Sequence, residues 1–328
     1  MPDPLLETID AAAHRPAVVE PLAVVMVPTF RRPALLAATL ASLACQDAAF
    51  RFAVVVVDND VARLEGLALA SEVFAAGTLT GVAVVEPQQG NCHAINKALA
   101  TARAAYPSAR YFLMIDDDET ASPGWLRLMV ETCEQHDVDV VGGPVLPVFE
   151  KEPAPDIARH PVFWPAFSTS GPVPMIYGSG NFLIRRASLE RLTLPEFDTR
   201  FNFLGGGDTD FFTRCRRAGF LFRWVAEARI EEGVPPARAS RGWILRRGLR
   251  TGAINYLLDR RHAPARYSFW RAQAKNLVIL GLSPWRGLRT LLRGGGPLQV
   301  IHPLVIALGR ISATFGIETE QYRAKPGA

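Results

Sequence analysis

Four short runs of apolar, mostly β-branched residues recur in the first part of the chain, at intervals of about thirty residues. Each run is continuous and does not alternate with polar residues, which is typical of a strand buried on both faces. Segments of helical period separate the runs. This alternation predicts an α/β fold with a mostly parallel sheet flanked by helices. The predicted strands are 22–27, 52–57, 82–86 and 111–116, and the predicted helices between them are 33–45, 63–75 and 91–104.

The second half of the chain is less regular. Six prolines fall within residues 150–175, and we interpret this stretch as a mobile loop over a site, because long loops in compact domains are usually functional. Beyond residue 240 the pattern changes to amphipathic helices rich in Arg, Leu and Trp. The remaining predicted helices are 123–135 and the segment from the glycine run to about 218, and the remaining strands are 138–141, 182–184, 222–225 and 226–230.

Charge is distributed unevenly along the 328 residues. From Gly233 onward there are 16 Lys and Arg against 3 Asp and Glu, whereas the preceding residues carry 20 basic and 29 acidic side chains. An acidic body with a basic, apolar tail indicates that the tail meets an anionic surface or substrate. Residues 1–20 are predicted to be a flexible arm without a secretory signal. The four cysteines show neither disulfide nor metal spacing, which is typical of a reducing compartment.

The strand at 111–116 runs directly into four consecutive acids, Asp116 to Glu119. Adjacent carboxylates repel one another, and hard divalent cations such as Mg²⁺ or Mn²⁺ prefer oxygen ligands. In an open α/β sheet, the carboxyl ends of the strands are also where ligands bind. The run of acids by itself is as consistent with a metal site as with the alternative. The alternative is a solvated acidic turn before a helix that starts at Ser122-Pro123.

With these elements in place, the chain resembles glycosyltransferase family 2 enzymes of the GT-A fold, in particular bacterial exopolysaccharide transferases of the succinoglycan type. The resemblance extends from about Val24 to Arg250. The motifs that carry it are VPTFRRPALLAATLASLACQ, VVVVDND, GNCHAINKALA, FLMIDDDETASPGWL, GSGNFLIRR, the pair Phe197-Asp198, GGGDTDFFTR and ARIEEGVPPARASRGWILRR.

The resemblance implies a nucleotide site and a cation site. Asp118 would bind the metal, Mg²⁺ or Mn²⁺, and Glu232, where several relatives have a metal-binding His, would complete its shell. An ordinary surface acid is the alternative for Glu232. The implied nucleotide-binding residues are Pro28, Thr29, Asp58, Asn96, Asp116 and Asp117. Asp58 would accept the imide N–H of uracil, and a helix cap or Asx turn is its alternative. Pro28 and Thr29 would form the floor of the pocket beneath the base. Arg31 and Arg32 could belong to the same pocket, and solvated residues at a helix start are an equally good explanation for them.

Asp208, within the run Gly205 to Asp210, corresponds to the catalytic base of the family. Relatives commonly have Glu at the position of Gly207, so a partner for the base is missing. The alternative is that Asp208 only caps a helix, and Asp210 is expected to make a structural contact. Candidate acceptor-binding or phosphate-binding residues are Gly180, Asn181, Gly206, Arg238 and Arg246; arginine suits phosphate through its forked donors.

The basic tail has the profile of helices that lie in a membrane interface, and a helical subdomain packed on the core is the alternative. His302, Pro303 and Arg310 argue against a spanning helix over 298–317. We therefore expect three regions: the arm, a GT-A domain over 21–240 and a membrane-associating region over 241–328. Within the GT-A domain, 21–120 would bind the nucleotide and 121–240 the acceptor.

The predicted function is that of an inverting, metal-dependent glycosyltransferase. It would move a sugar from a nucleotide-diphosphate donor, UDP-linked by resemblance, to a saccharide or polyprenyl-diphosphate-linked acceptor in bacterial polysaccharide synthesis. The protein would act peripherally at the cytoplasmic face of the inner membrane. The alternatives are a glycolipid transferase acting on diacylglycerol or ceramide, and a non-catalytic sugar-nucleotide binder. Nucleic-acid binding is not expected, because the tail matches no known module.

Overall fold

A computed structural model of the protein describes residues 20–263 and 265–316. The predicted arm lies outside these residues, except for Glu20. The chain forms two compact units. Unit 1 extends to Leu146 and also includes Pro165–Asn202 and Gly207–Glu232, whereas unit 2 consists of Pro147–Trp164, Phe203–Gly206 and the residues from Gly233 onward.

An eight-stranded sheet forms the centre of unit 1, with the strand order β3-β2-β1-β4-β9-β6-β10-β8. Strands β1 to β4 are parallel to one another, as the sequence predicted, whereas β9 is antiparallel to both of its neighbours. The strands are β1 (Ala23–Thr29), β2 (Phe52–Asp58), β3 (Gly81–Val85), β4 (Tyr111–Met114), β6 (Val140–Gly142), β8 (Gly171–Val173), β9 (Phe182–Arg185) and β10 (Phe222–Trp224).

Helices cover this sheet because its central strands are apolar along their whole length. Every residue of β1 is buried, and its side chains join a core that includes Leu36, Trp125 and Met129 from the covering helices. The predicted α/β architecture is therefore confirmed. The helices of unit 1 are α1 (Pro33–Ala44), α2 (Glu65–Ala75), α3 (Asn91–Ala105), α4 (Trp125–Gln135), α6 (Arg186–Leu189) and α7 (Gly207–Arg217).

The register of the parallel strands brings their carboxyl ends to one edge of the sheet. Thr29 at the end of β1 is paired with Asp58 at the end of β2, and Met26 is paired with Met114 at the end of β4. The acids that follow β4 therefore extend beyond the same edge as Thr29 and Asp58.

A second, three-stranded sheet has the order β5-β11-β7, formed by Glu119–Ala121, Ile230–Val234 and Val145–Phe149 respectively. The sequence had suggested a strand over 226–230 with Glu232 following it. That boundary is wrong: Glu232 lies within β11, directly opposite Glu119. The pairing places two carboxylates side by side, a destabilising arrangement for like charges.

The proline-rich stretch 150–175 is not the unstructured loop that its composition suggested. It contains α5 (Pro155–Ala158), a 3₁₀ helix over Pro161–Phe163, and β8, which pairs with β10 at the edge of the large sheet. Prolines suit each of these positions, because the first turn of a helix and an edge strand do not need their backbone N–H.

Unit 2 is built on three helices, α8 (Arg241–His262), α9 (Ser268–Leu292) and α10 (Pro297–Thr314). Helices α8 and α10 approach closely, since a Cβ on Gly252 or Gly309 would collide with the backbone of the facing helix. Arg310 is buried between them and contacts Asp259 and Asn276 at 2.7 and 2.8 Å. Within the part of the chain that the structure describes, no helix is long and apolar enough to cross a membrane.

Candidate active site

The four acids that follow β4 have distinct environments. Asp117 is buried and ties the ends of two strands together: it accepts hydrogen bonds from the Thr29 hydroxyl at 2.8 Å and from the Phe30 backbone N–H at 3.3 Å. The buried Thr39 hydroxyl of α1 lies 2.7 Å from the Glu119 carbonyl oxygen. These contacts fix the turn from both sides. Asp117 and Thr29, both predicted to touch the nucleotide, thus bond to each other.

Asp118 is more accessible than Asp117 beside it. Its carboxylate, with 15% of the side chain exposed, lies 2.7 Å from a guanidinium nitrogen of Arg32. The same nitrogen is 3.3 Å from Asp117. Arg32 is therefore not the solvated helix-start residue that the sequence allowed, because it carries a charge into the acid cluster.

Asp116, Glu119 and Glu232 form the interior of the cluster. A Glu119 carboxylate oxygen accepts a hydrogen bond from the Asp116 backbone N–H at 2.8 Å. Burial, followed by the charges of Asp118, Asp117 and Glu232, raises the pKa of Asp116 to about 8. Burial and the charge of Asp116 likewise raise the pKa of Glu119 well above its usual range. Burial and the mutual repulsion of these carboxylates thus disfavour their charged forms.

The donor chemistry of this cluster suits a hard divalent cation, which binds carboxylate oxygens and relieves their mutual repulsion. Asp118 from the turn and Glu232 from β11 would hold it. Among residues 20–263 and 265–316, no three His, Cys, Asp or Glu side chains are arranged so that they could already hold a metal ion together. The cation therefore remains an expectation.

Asp58 is buried at the end of β2, and its two oxygens accept hydrogen bonds from the backbone N–H groups of Asp60 and Leu67, both at 2.9 Å. Burial raises the pKa of Asp58 above its usual value, and the hydrogen bonds offset only part of this shift. This geometry is that of an Asx turn combined with a helix cap, so the structural alternative accounts for both oxygens. The uracil contact stays a prediction.

Two asparagines that the sequence did not single out organise the neighbouring loop. The Asn59 amide donates to the carbonyls of Glu86 and Gln88, and its oxygen accepts from the Gly90 N–H at 2.7 Å. Asn202 accepts hydrogen bonds from the first backbone N–H groups of α3, at Cys92 and His93. No local sequence signal could have revealed Asn202, because it lies 110 residues from the helix it caps.

Asn96 was predicted to bind the nucleotide, but its side chain is used elsewhere. Its amide donates to the Phe197 carbonyl at 2.7 Å, and its oxygen accepts from the Phe197 N–H at 2.9 Å. The pair anchors α3 to the segment around Phe197. The nucleotide-binding role of Asn96 stays a prediction.

Asp208 is in the first turn of α7 and is half-exposed, whereas Asp210 is buried and pairs with Arg214 at 2.9 Å. A Cβ on Gly207 would lie 2.7 Å from the Cys92 sulfur at the start of α3. A larger residue at 207 would therefore have to displace at least the Cys92 side chain. Asp208 stands at the carboxyl edge of the sheet, beside the helix that follows β3.

The predicted acceptor residues fall into two groups. Asn181 is structural, since its amide bonds the carbonyls of Pro144 and Ala228 and its oxygen accepts from the Trp125 indole N–H. Gly180 lies against Glu119, where a Cβ would collide with the carboxylate. In unit 2, Gly206 has a φ of +87° and packs on Ile254, Arg238 precedes α8, and Arg246 is exposed on α8. Roles in acceptor or phosphate binding stay predictions for all five residues, Asn181 included.

Comparison with known proteins now adds to this geometry. A family model described as glycosyl transferase family 2 matches residues 24–193, and one described as glycosyl transferase family group 2 matches residues 111–315. The chain belongs to glycosyltransferase family 2. As a member it is a glycosyltransferase enzyme, and the motifs around Pro28, Asp58 and the acid turn all lie inside the first match.

Individual relatives agree with this assignment. The chain is 31% identical over 315 residues to the succinoglycan biosynthesis protein ExoM of Rhizobium meliloti (strain 1021), covering 90% of this chain and 94% of that protein. Its fold is similar to the Pyrobaculum calidifontis mannosyltransferase PcManGT in complex with GDP-Man and Mn²⁺, with a TM-score of 0.58, 18% identity, and coverage of 96% and 94%.

A second solved structure, that of S. aureus TarS, matches with a TM-score of 0.50 and 17% identity over 89% of this chain. The match covers 54% of TarS, so the chain spans about half the length of that protein. These structural similarities, at low identity, concern the fold alone. They confirm the predicted GT-A type of architecture, a large sheet flanked by helices with further helices at the C-terminal end.

Proposed function

We propose that this enzyme transfers a sugar from a nucleotide-diphosphate donor, UDP-linked, to a saccharide or polyprenyl-diphosphate-linked acceptor in bacterial polysaccharide synthesis, with inversion at the sugar carbon. The proposal is supported above all by the site at one edge of one sheet, where Asp58, the acid turn and Asp208 follow successive strands and their connections. The relationship to a succinoglycan biosynthesis protein supports the polysaccharide part.

Each part of the site has a task in this reaction. Asp208, half-exposed at the start of α7, would take the proton of the acceptor hydroxyl as that oxygen attacks the sugar carbon. Asp118 and Glu232 would hold a divalent cation, which when bound neutralises the charge of the departing diphosphate. Pro28 and Asp58 would border the nucleotide base at the ends of β1 and β2. Asp116 and Asp117 would contact the nucleotide, and Asp117 also holds the turn through Thr29 and Phe30.

The donor can be tested with a panel of nucleotide sugars assayed for Mn²⁺-dependent hydrolysis and for thermal stabilisation. We expect UDP-linked sugars to raise the melting temperature, because a ligand that binds only the folded state stabilises it by about 2.7 kcal/mol at one hundred times its dissociation constant. EDTA should abolish hydrolysis. Since the PcManGT structure is a complex with GDP-Man and Mn²⁺, GDP-mannose is the informative competitor. Preference for GDP-mannose would replace UDP in the proposal, and a panel without binders would contradict the donor site.

We further propose that unit 2 brings the enzyme to an anionic membrane surface, the cytoplasmic face of the inner membrane. Helix α9 supports this because its buried face carries polar residues and its exposed face is apolar. Its buried residues include Ser268, Asn276 and Ser283, whereas Leu277 and Leu292 are 71% and 77% exposed. At 3.6 residues per turn the exposed apolar residues form one stripe along the helix. They are Phe269, Trp270, Leu277, Val278, Leu282, Trp285, Leu288, Leu291 and Leu292.

Exposed basic residues follow one flank of that stripe. They are Arg271, Lys275, Arg286, Arg289 and Arg293. A helix with an apolar stripe, a cationic flank and two tryptophans lies in the plane of a membrane interface, and the flank attracts anionic lipid headgroups. The helix would thus place the enzyme where a lipid-linked acceptor is found.

Cosedimentation with vesicles tests this surface. We expect binding to vesicles that contain anionic lipid and on the order of 100-fold weaker partitioning for Leu277→Ser/Leu292→Ser, because each leucine contributes at least about 1.5 kcal/mol when buried. The matched control is Leu194→Ser/Leu221→Ser, which removes two leucines that are 73% and 58% exposed in unit 1. Equal binding by both double variants would contradict a membrane role for α9.

The products of the reaction distinguish the proposed enzyme from a glycolipid transferase and from a non-catalytic binder. A glycolipid transferase would glycosylate diacylglycerol or ceramide in the same vesicles, whereas the proposed enzyme would glycosylate only a saccharide or polyprenyl-diphosphate acceptor. A sugar-nucleotide binder without activity would show thermal stabilisation by donor but no hydrolysis under any of these conditions.

A further inference from the structure

Arg32 is the basic residue at the acid turn, and the path of the backbone brings it there. Helix α1 begins at the next residue, Pro33, and Arg31 before it has a φ of +56°, in the left-handed region. This turn sends the two arginines to different partners. Arg31 pairs with Asp60 at 2.8 Å, whereas Arg32 contacts Asp117 and Asp118.

The Arg32 contact engages the residue that the proposed function assigns to the cation. A guanidinium nitrogen lies 2.7 Å from the Asp118 Oδ2, at the normal distance of a charge-assisted hydrogen bond. A divalent cation bound to Asp118 would place two further positive charges within a few ångströms of that guanidinium. The repulsion, together with competition for the same carboxylate, opposes simultaneous occupancy.

The pair is also built so that it can open. The Arg32 side chain is 41% exposed, so its charge returns to water at small cost, whereas the Asp118 side chain is 15% exposed and stays beside Asp116 and Glu232. Exposed ion pairs contribute little stabilisation, far less than a divalent cation gains from carboxylate ligands. Asp117 is fixed by Thr29 and Phe30, and so does not depend on Arg32 for its position.

We propose that Arg32 is a built-in counter-ion of the acid turn, which a divalent cation displaces from Asp118 and which then pairs with the donor diphosphate. The inference rests on the proposed function, because it takes Asp118 as the metal ligand. A displaced guanidinium beside the cation would meet the phosphate oxygens that the cation binds, and its planar fork matches them. Arg32 is thus a positioning residue whose two partners alternate: a carboxylate before cation binding and a diphosphate after it.

Two binding measurements of opposite sign test this role. Mn²⁺ affinity, measured without nucleotide from the electron paramagnetic resonance signal of free Mn²⁺, should be about 5-fold tighter for Arg32→Gln, since the competing charge is gone. Affinity for UDP at saturating Mn²⁺ should be about 10-fold weaker for the same variant, because a charge-assisted hydrogen bond to phosphate is lost. A residue that merely braces the turn would weaken both affinities or neither.

Arg31→Gln is the matched control, because it removes the neighbouring arginine, which pairs with Asp60, and both affinities should stay within about 2-fold of wild type. Arg32→Lys retains the charge but not the fork, so its Mn²⁺ affinity should be that of wild type while UDP binds more weakly. The thermal midpoint would show whether Arg32→Gln is folded. If it is not, the Mn²⁺ and UDP affinities of Arg32→Lys test the role of Arg32 instead.

The outcomes are distinguishable. If wild type binds Mn²⁺ and Arg32→Gln binds it equally or more weakly, the counter-ion role is overturned while the proposed metal site stands. If Arg32→Gln gains Mn²⁺ affinity but keeps its UDP affinity, the transfer of Arg32 to the diphosphate is overturned. If wild type shows no Mn²⁺ binding at all, the metal site of the proposed function fails, and this inference fails with it.

Discussion

Asp208→Asn should lower the turnover number about 1,000-fold while the donor dissociation constant stays within about 2-fold of wild type, because a positioned general base contributes roughly 10²–10⁴ to rate. The substitution keeps the size of the side chain and removes the group that accepts the acceptor's proton. Asp208 is half-exposed in the first turn of α7, so the fold should not depend on its charge. Transfer to acceptor, and not donor hydrolysis alone, is the quantity to measure.

Asp210→Asn is the contrasting variant on the same helix. Asp210 is fully buried and pairs with Arg214 at 2.9 Å, so this change should lower the melting temperature and leave the turnover of the folded enzyme unchanged. A turnover number for Asp208→Asn within tenfold of wild type would contradict the assignment of the base. Loss of turnover in both variants at equal folded fraction would show that the helix start, and not one carboxylate, matters.

Asp259→Ala should destabilise the enzyme by about 3 kcal/mol, because removing one partner of a buried ion pair leaves an uncompensated charge. Only 2% of the Arg310 side chain is exposed, and its guanidinium lies 2.7 Å from Asp259. The pair connects α8 and α10, the helices that approach at Gly252 and Gly309. Urea unfolding monitored by circular dichroism, with the transition of unit 2 analysed separately if two transitions occur, gives the free energy.

Lys275→Ala provides the control within the same network. Lys275 contacts the other Asp259 oxygen at 2.7 Å, but 53% of its side chain is exposed, so its loss should cost no more than about 1 kcal/mol. Equal destabilisation by the two variants would indicate that the charge of Asp259, and not the burial of Arg310, sets the effect. An Asp259→Ala protein as stable as wild type would contradict the structural role of the pair.

The strand pattern made the location of the site predictable. Continuous apolar runs identify buried parallel strands, and parallel strands end at one edge, so residues that follow such runs must gather there. Thr29, Asp58 and Asp116 could be grouped in this way without knowledge of the structure. The amphipathic tail was equally visible, because its Leu and Trp residues recur with the period of a helix.

The role of each acid in the turn was not predictable in the same way. Consecutive residues in a turn point in different directions, and their partners lie far away in sequence. Asp117 accepts a hydrogen bond from Thr29, and Asp118 pairs with Arg32. Glu119 lies opposite Glu232 in the second sheet. The strand containing Glu232 was misplaced because Glu231, Glu232 and Gly233 give no apolar signal. Pairing with β5, which no local propensity encodes, extends that strand.

By itself, the sequence determined the α/β class, the edge of the sheet where the polar residues collect, and the position of a candidate base in the first turn of α7. Only the tertiary structure decided that the amides of Asn96 and Asn181 bond to backbone, that Gly207 packs against the Cys92 sulfur, and that Arg32 contacts Asp118. The physical reason is the range of the interactions. The pattern of apolar residues and its period along the chain are set by residues close in sequence. A hydrogen bond or ion pair depends on which distant segments of the chain meet.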